Sequence, residues 1–267
     1  MKRIHAFEFL DLPWYPNIFR RMQTDYLQFA TTLGSGHKTI IPLIHNAMKQ
    51  AGTNQIIDLC SGSSGPWRGL LPLFQAENIP LQITLTDKFP QEEVVQAWNT
   101  NEIQFIRYYP DSVDATDVPK QLTGMRILFE GFHHFKPVDA QKILKNAKEN
   151  NSAIGIFEAS IKPPLGWLML VLSPVITFLT YMLITPFLKP RAFSRFLWTY
   201  LLPIVPLATC WDGFISLLRV YSPKALMELV EILHSENYVW EAGTASTGTP
   251  IFEFTYLIGY PVKETNK

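Results

Sequence analysis

From Gln55 onward the chain repeats one pattern: a short apolar run, a polar or small-residue loop, then a stretch with helical spacing of its apolar residues. Runs at 55–59, 81–86, 103–108, 125–130 and 153–158 have strand length, and segments such as Pro137–Glu149 between them have helical periodicity. Strands alternating with helices pair in parallel and bury both faces of the sheet under helices. The alternation breaks after the fifth strand, then resumes with a helix from about Ser222 to Glu236 and strands near 238–242 and 251–260. The expectation is an α/β chain with a doubly wound, seven-stranded sheet. Residues 1–50 form an N-terminal helical cap, 51–161 the core, 162–211 a hydrophobic insertion and 212–267 the remainder of the core sheet. The cap reading rests on Trp14, Tyr15, Ile18, Phe19, Met22, Tyr26, Leu27 and Phe29, which recur at roughly helical spacing.

In a doubly wound sheet a ligand lies beyond the carboxyl ends of the strands, so the residues at which each strand stops are the informative ones. The first strand runs Ile56-Ile57-Asp58 into Leu59-Cys60-Ser61-Gly62-Ser63-Ser64-Gly65-Pro66. Small side chains let the main chain approach a ligand closely, and a helix starting near Pro66 aims its N–H groups at the same place. The second strand ends at Asp87, whose two oxygens suit the paired hydroxyls of a ribose, with Lys88 next to it. Asp114-Ala115 follows the third strand and Glu130-Gly131-Phe132-His133-His134-Phe135 the fourth.

Taken together, these residues resemble the motifs of class I S-adenosylmethionine (SAM)-dependent methyltransferases over roughly residues 50–160. The resemblance implies a Rossmann-like methyltransferase sheet with SAM as cofactor. Gly62 with Cys60, Ser61 and Gly65 would pass beside its methionine part. Asp87 would hold the ribose and Asp114 the adenine amino group with Ala115 beside it, while Asp58 orients the cofactor or its loop, and Lys88 and Glu130 are further cofactor-binding candidates. Cys60 and Ser64 stand where the family commonly has glycine, which leaves the path of the loop open. A nicotinamide or flavin dinucleotide is the competing ligand. Against it, the G-x-G-x-x-G fingerprint is broken at its first glycine, and Asp58 sets negative charge near the place of a pyrophosphate.

Methyl transfer is an in-line displacement and needs a base only if the acceptor is protonated. His133 and His134 follow the fourth strand, where the family's acceptor pocket opens. One of them is a candidate base or acceptor ligand, or the pair packs the loop between Phe132 and Phe135. Asp212 and Arg219 are almost the only charges in a long apolar neighbourhood. They either pair with each other or, with Trp67, Glu158 and Trp211, surround a polar group of an apolar acceptor.

Residues 163–188 carry no charged side chain; a basic turn, 189–195, leads into a second apolar stretch, 196–211. Prolines interrupt both stretches and the second is short for a crossing. Spanning would also push Lys189, Arg191 and Arg195 across the bilayer against the positive-inside tendency, whereas these residues suit anionic headgroups. The expected role is a membrane-dipping or interfacial cap, the alternatives being a soluble cap over the acceptor pocket and a spanning hairpin. The acceptor is then a small hydrophobic or lipid-like molecule. With 23 basic and 23 acidic residues there is no electrostatic case for nucleic acid. Cys60 and Cys210 offer no disulfide framework and no metal-ligand spacing, so no metal is expected. The N-terminal run shows no export signal, and the location expected is cytoplasmic, peripheral to the membrane. The alternatives to a methyltransferase are a membrane-associated binding or assembly module without turnover and a dinucleotide-dependent oxidoreductase.

Overall fold

The computed structural model describes residues 3–32, 35–100, 105–189 and 191–262. Seven strands, β1 Gln55–Asp58, β2 Gln82–Leu85, β3 Ile106–Tyr108, β4 Met125–Phe129, β5 Ile154–Ile161, β6 Tyr238–Ser246 and β7 Phe252–Pro261, form one sheet in the order β3-β2-β1-β4-β5-β7-β6. β1 to β5 run parallel; β7 lies antiparallel between β5 and β6. The first two positions expected of the third strand, 103 and 104, and the tail expected to fray, 263–267, fall outside the described residues.

Alternation along the strands sends side chains to two cores. Ile56, Ile127, Phe157 and Ile258 point to one face, covered by α2 (Ile41–Ala51), α3 (Trp67–Ala76) and α4 (Glu92–Asn99). Ile57, Leu128, Ile156 and Leu257 point to the other, covered by α5 (Pro137–Glu149) and α9 (Pro223–Val230). Both faces being apolar, the sheet is buried on each side, and the carboxyl ends of β1, β2 and β4 are left to carry the polar groups.

The N-terminal region differs from the expected helical cap. α1 begins only at Asn17 and runs to Thr32; before it, residues 3–16 form no α-helix, only a short 3₁₀ turn at Phe9–Asp11 and a second turn that Tyr15 N–H closes on Leu12 O. Pro13 and Pro16 deny the segment the N–H groups a helix needs. Its polar residues instead bond to distant parts of the chain.

Between β5 and α9 the chain makes a hairpin of α6 (Leu165–Ile184) and α8 (Ile204–Arg219), joined through the short α7 (Phe193–Phe196) and one π-helical turn at Leu197–Leu201. The axis bends by 71° between 193–201 and 204–219. Helix α8 continues past Trp211 to Arg219, so the insertion boundary placed at residue 211 falls within this helix. Met22 and Tyr26 of α1 pack against Tyr181, Leu188 and Val205 of the hairpin. Arg195 is not at a headgroup-facing surface: it is buried and pairs with Asp25 of α1, leaving Lys189 and Arg191 as the exposed cations of the turn.

Candidate active site

The loop after β1 turns through left-handed backbone at Cys60, Gly62, Ser64 and Gly65, with φ of 59°, 51°, 121° and 52°. Cys60 and Ser64 therefore take up conformations that glycine adopts without strain. The loop path is that of a glycine-rich turn even though two of its glycines are missing. A Cβ added at Gly62 would meet nothing within 4 Å, so this position borders open space. The Asp87 carboxylate holds the loop: Gly62 N–H donates to Oδ2 at 2.9 Å and Phe89 N–H to Oδ1 at 2.8 Å. Tyr108 at the end of β3 donates its hydroxyl to Gly62 O at 2.9 Å.

Asp58 lies beneath the loop, 1 % exposed. Its Oδ2 accepts from Ser61 Oγ at 2.5 Å, while Oδ1 is buried with no hydrogen-bond partner among the described residues. Burial pushes its pKa up to about 8; the Ser61 hydroxyl and the Trp67 indole oppose this, and the charge of Asp87 adds to it. Asp114 is the opposite case. Partial burial would raise it, but Lys88 Nζ at 2.7 Å and the Thr116 hydroxyl at 2.7 Å hold it down to about 2. Ala115 is buried next to it. Asp58, Cys60, Ser61, Gly62, Gly65, Asp87, Lys88, Asp114 and Ala115 thus sit together at the carboxyl ends of β1 to β3. Glu130 does not turn toward them: with φ of 51°, it accepts the Ala159 N–H through both oxygens, at 2.9 and 3.0 Å.

The Asp58 shift has a thermodynamic consequence. An unfolded aspartate ionises near pH 3.9, so between about pH 4 and 8 the folded chain retains a proton that the unfolded chain has released, and stability falls as pH rises. Asp58→Asn is expected to flatten the melting temperature over that window and to gain on the order of a few kcal/mol at its alkaline end. Melts at several pH values decide this, and a parallel slope in the variant would show Asp58 already ionised.

A second polar cluster is built around Glu158 of β5. Its Oε1 accepts Phe132 N–H at 2.6 Å and His133 N–H at 3.3 Å, and its Oε2 bonds His133 Nδ1. Burial alone would raise the Glu158 pKa, but His133 outweighs it and the net direction is down. His133 is 4 % exposed and its Nε2 has no hydrogen-bond partner among the described residues. Facing it at 3.9 Å is Glu8, from the extended N-terminal strap. His134 Nδ1 bonds Asp11 Oδ1 at 2.7 Å; burial would lower its pKa, and Asp11 and Glu8 raise it above the usual histidine value.

Asp212 and Arg219 do not pair with each other. Seven residues apart on one helix, they stand two turns, or about 10 Å, from each other along α8. Asp212 accepts the strap N–H groups of Phe9 at 2.7 Å and Leu10 at 3.2 Å and Gln23 Nε2 at 3.1 Å; burial still lifts it to about 6. Arg219 Nη1 reaches Glu8 Oε1 at 2.6 Å and Asp11 Oδ2 at 2.7 Å. Both residues therefore anchor the strap. Trp211 does the same, donating Nε1–H to Phe7 O at 3.0 Å, whereas Trp67 is wholly buried beside Phe74 and Phe129.

Sequence reasoning missed Arg3, His5, Glu8 and Asp11. Arg3 donates to the carbonyls of His133 at 2.9 Å and Phe135 at 3.0 Å, tying the strap to the histidine turn. The signal was the two-turn spacing of Asp212 and Arg219, which required other partners for both. Ligand atoms of Glu8, His133 and His134 lie within 4.8 Å of one another, a spacing that suits a metal, but the Arg219 guanidinium already supplies the positive charge against Glu8.

No protein-family model matches the chain, and no curated protein matches it by sequence. Solved structures do. The plantazolicin methyltransferase BpumL in complex with SAH superposes with a TM-score of 0.57 at 11% identity, over 93% of each chain. Human N-acetylserotonin methyltransferase in complex with SAM superposes with a TM-score of 0.50 at 13% identity; that match covers 96% of this chain and 63% of the human one. The fold is that of the class I SAM-dependent methyltransferases. The strand order with its antiparallel β7 is typical of that class, and it sets the loop and carboxylates at the end of the sheet where a doubly wound fold places its ligand.

Proposed function

We propose that the protein is a SAM-dependent methyltransferase whose acceptor is a small apolar molecule. The observation that carries this reading is the strand-end constellation itself. An open cradle at Gly62 is flanked by Asp87, with Asp58 buried beneath the loop and Asp114 paired with Lys88 at its edge. When bound, SAM supplies a methyl group on a sulfonium, open to in-line attack.

The Asp87 carboxylate has lone pairs left after its two backbone bonds and would accept ribose hydroxyls; Asp114, kept ionised by Lys88, would receive the adenine amino group. On the acceptor side His133 would take a proton at Nε2, with Nδ1–H held by Glu158. The strap residue Glu8 covers that nitrogen, so an acceptor reaches it only by moving the strap. The apolar hairpin of α6 and α8 beside the strap supports an acceptor of low polarity. A binding module without turnover is favoured by one observation, the burial of His133 beneath the strap.

The deciding measurement is thermal stabilisation by S-adenosylhomocysteine and not by NAD, worth about 2.7 kcal/mol at a hundredfold excess over the dissociation constant. Asp87→Ala is expected to weaken S-adenosylhomocysteine binding by about 1–3 kcal/mol in calorimetric titration, through lost charge-assisted hydrogen bonds and a loosened Gly62. Unchanged affinity would remove Asp87 from the ribose role.

A further inference from the structure

Helix α6 has no polar face. None of its residues from Leu165 to Ile184 is charged, and only Gly166, Leu170 and Tyr181 are buried. Val171, Val175, Leu179 and Leu183, four residues apart, make one outward row at 71, 59, 54 and 72 % exposure. Leu201 and Leu207 extend the apolar surface onto the return limb. A helix apolar on all sides belongs inside a large core or in lipid, and no core covers this one among the described residues.

The charges around the row name the occupant. From Ala159 to Trp211 the sequence has no acidic residue, while exposed Lys162 stands before α6 and exposed Lys189 and Arg191 beyond its far end. An apolar helix about 30 Å long, bracketed by cations, complements an anionic bilayer surface. Pairing with a second copy would set the cationic rims against each other with no acid to neutralise them.

The same bracket would suit a helix crossing the bilayer, and α1 decides against that. Tyr26 of α1 bonds Thr180 of α6 at 2.7 Å, Tyr181 donates its hydroxyl to Met22 O at 3.1 Å, and Asp25 pairs with Arg195 near the hairpin tip. Arg20, Arg21 and Asp25 therefore travel with the hairpin, and Arg21 also reaches Glu93 of α4 in the core domain. Inserting the hairpin end-on would drag these charges into hydrocarbon. We infer that the outward row of α6, with the start of α8, docks in the plane of an anionic membrane surface, α1 lying on the water side.

Flotation of the full chain tests this with sealed vesicles of phosphatidylcholine alone or mixed with phosphatidylglycerol. The protein is expected to float with the mixed vesicles and to be released by salt. The triple change Val175→Ser, Leu179→Ser, Leu183→Ser should weaken binding by about tenfold or more at an unchanged melting temperature, and Lys189→Gln with Arg191→Gln should weaken it severalfold. A Lys189→Cys variant should react with an impermeant maleimide added outside the vesicles. Wild type that ignores both vesicle types overturns the inference. So does a dimer that the triple change converts to monomers, or a Lys189→Cys thiol protected until detergent is added. Because S-adenosylhomocysteine binding is measured on the same samples, a failure of this surface is separable from a failure of the methyltransferase reading.

Discussion

His133→Gln is expected to bind S-adenosylhomocysteine within about twofold of wild type while methyl transfer falls roughly a hundredfold or more. The separation follows from where the residue sits. His133 lies beyond β4, in a turn held by Glu158, and shares no hydrogen bond with the β1 loop or with Asp87. Glutamine can still donate an N–H to Glu158, so the turn keeps its anchor, but the amide has no basic nitrogen to take up a proton. Glu158 accepts from Phe132 N–H and His133 N–H and bonds His133 Nδ1, so the ring is oriented with Nε2 as the nitrogen left to face an acceptor. The assay follows labelled methyl from SAM into the organic-soluble fraction of a membrane lipid extract, with calorimetry on the same preparations. Equal turnover in the variant would remove His133 as the base and leave positioning alone as the source of rate.

The sheet was legible because its strands are short apolar runs between periodic helices, and all seven lie within a few residues of where the pattern places them. The cluster of the β1 loop with Asp87 and Asp114 was legible for a local reason: each carboxylate lies at or a few residues beyond the end of its own strand, so finding the strand finds the residue. The cluster around His133 was not. Its geometry depends on the strap at residues 3–12, which contacts α8 some two hundred residues later, as in the bonds of Phe9 and Leu10 N–H to Asp212. Apolar spacing from Trp14 onward reads as continuous helix, and that spacing takes no account of the prolines at 13 and 16 that stop it. Glu130 shows a different limit. Its strand-end position was read correctly, but the left-handed turn there sends the carboxylate to Ala159 N–H, and backbone handedness at a non-glycine residue leaves no mark in a sequence pattern.

Arg219→Met is expected to cost about 3–5 kcal/mol, lowering the melting temperature by roughly 10 °C. Arg219 and Glu8 are 2 % and 1 % exposed, and Nη1 lies 2.6 Å from Oε1. Without the guanidinium, the Glu8 carboxylate is left inside the protein facing His133, with Asp11 relieved of one of the two partners that hold it at about 2. Methionine fills much of the same volume, so the loss measures charge and hydrogen bonding more than packing. The double variant with Glu8→Gln should recover part of the lost stability, because the stranded charge is then absent. Melts of the two single variants and the double variant close the cycle. Additive losses would mean that Glu8 and Arg219 stabilise the strap independently, and that the buried pair is not what closes it over His133.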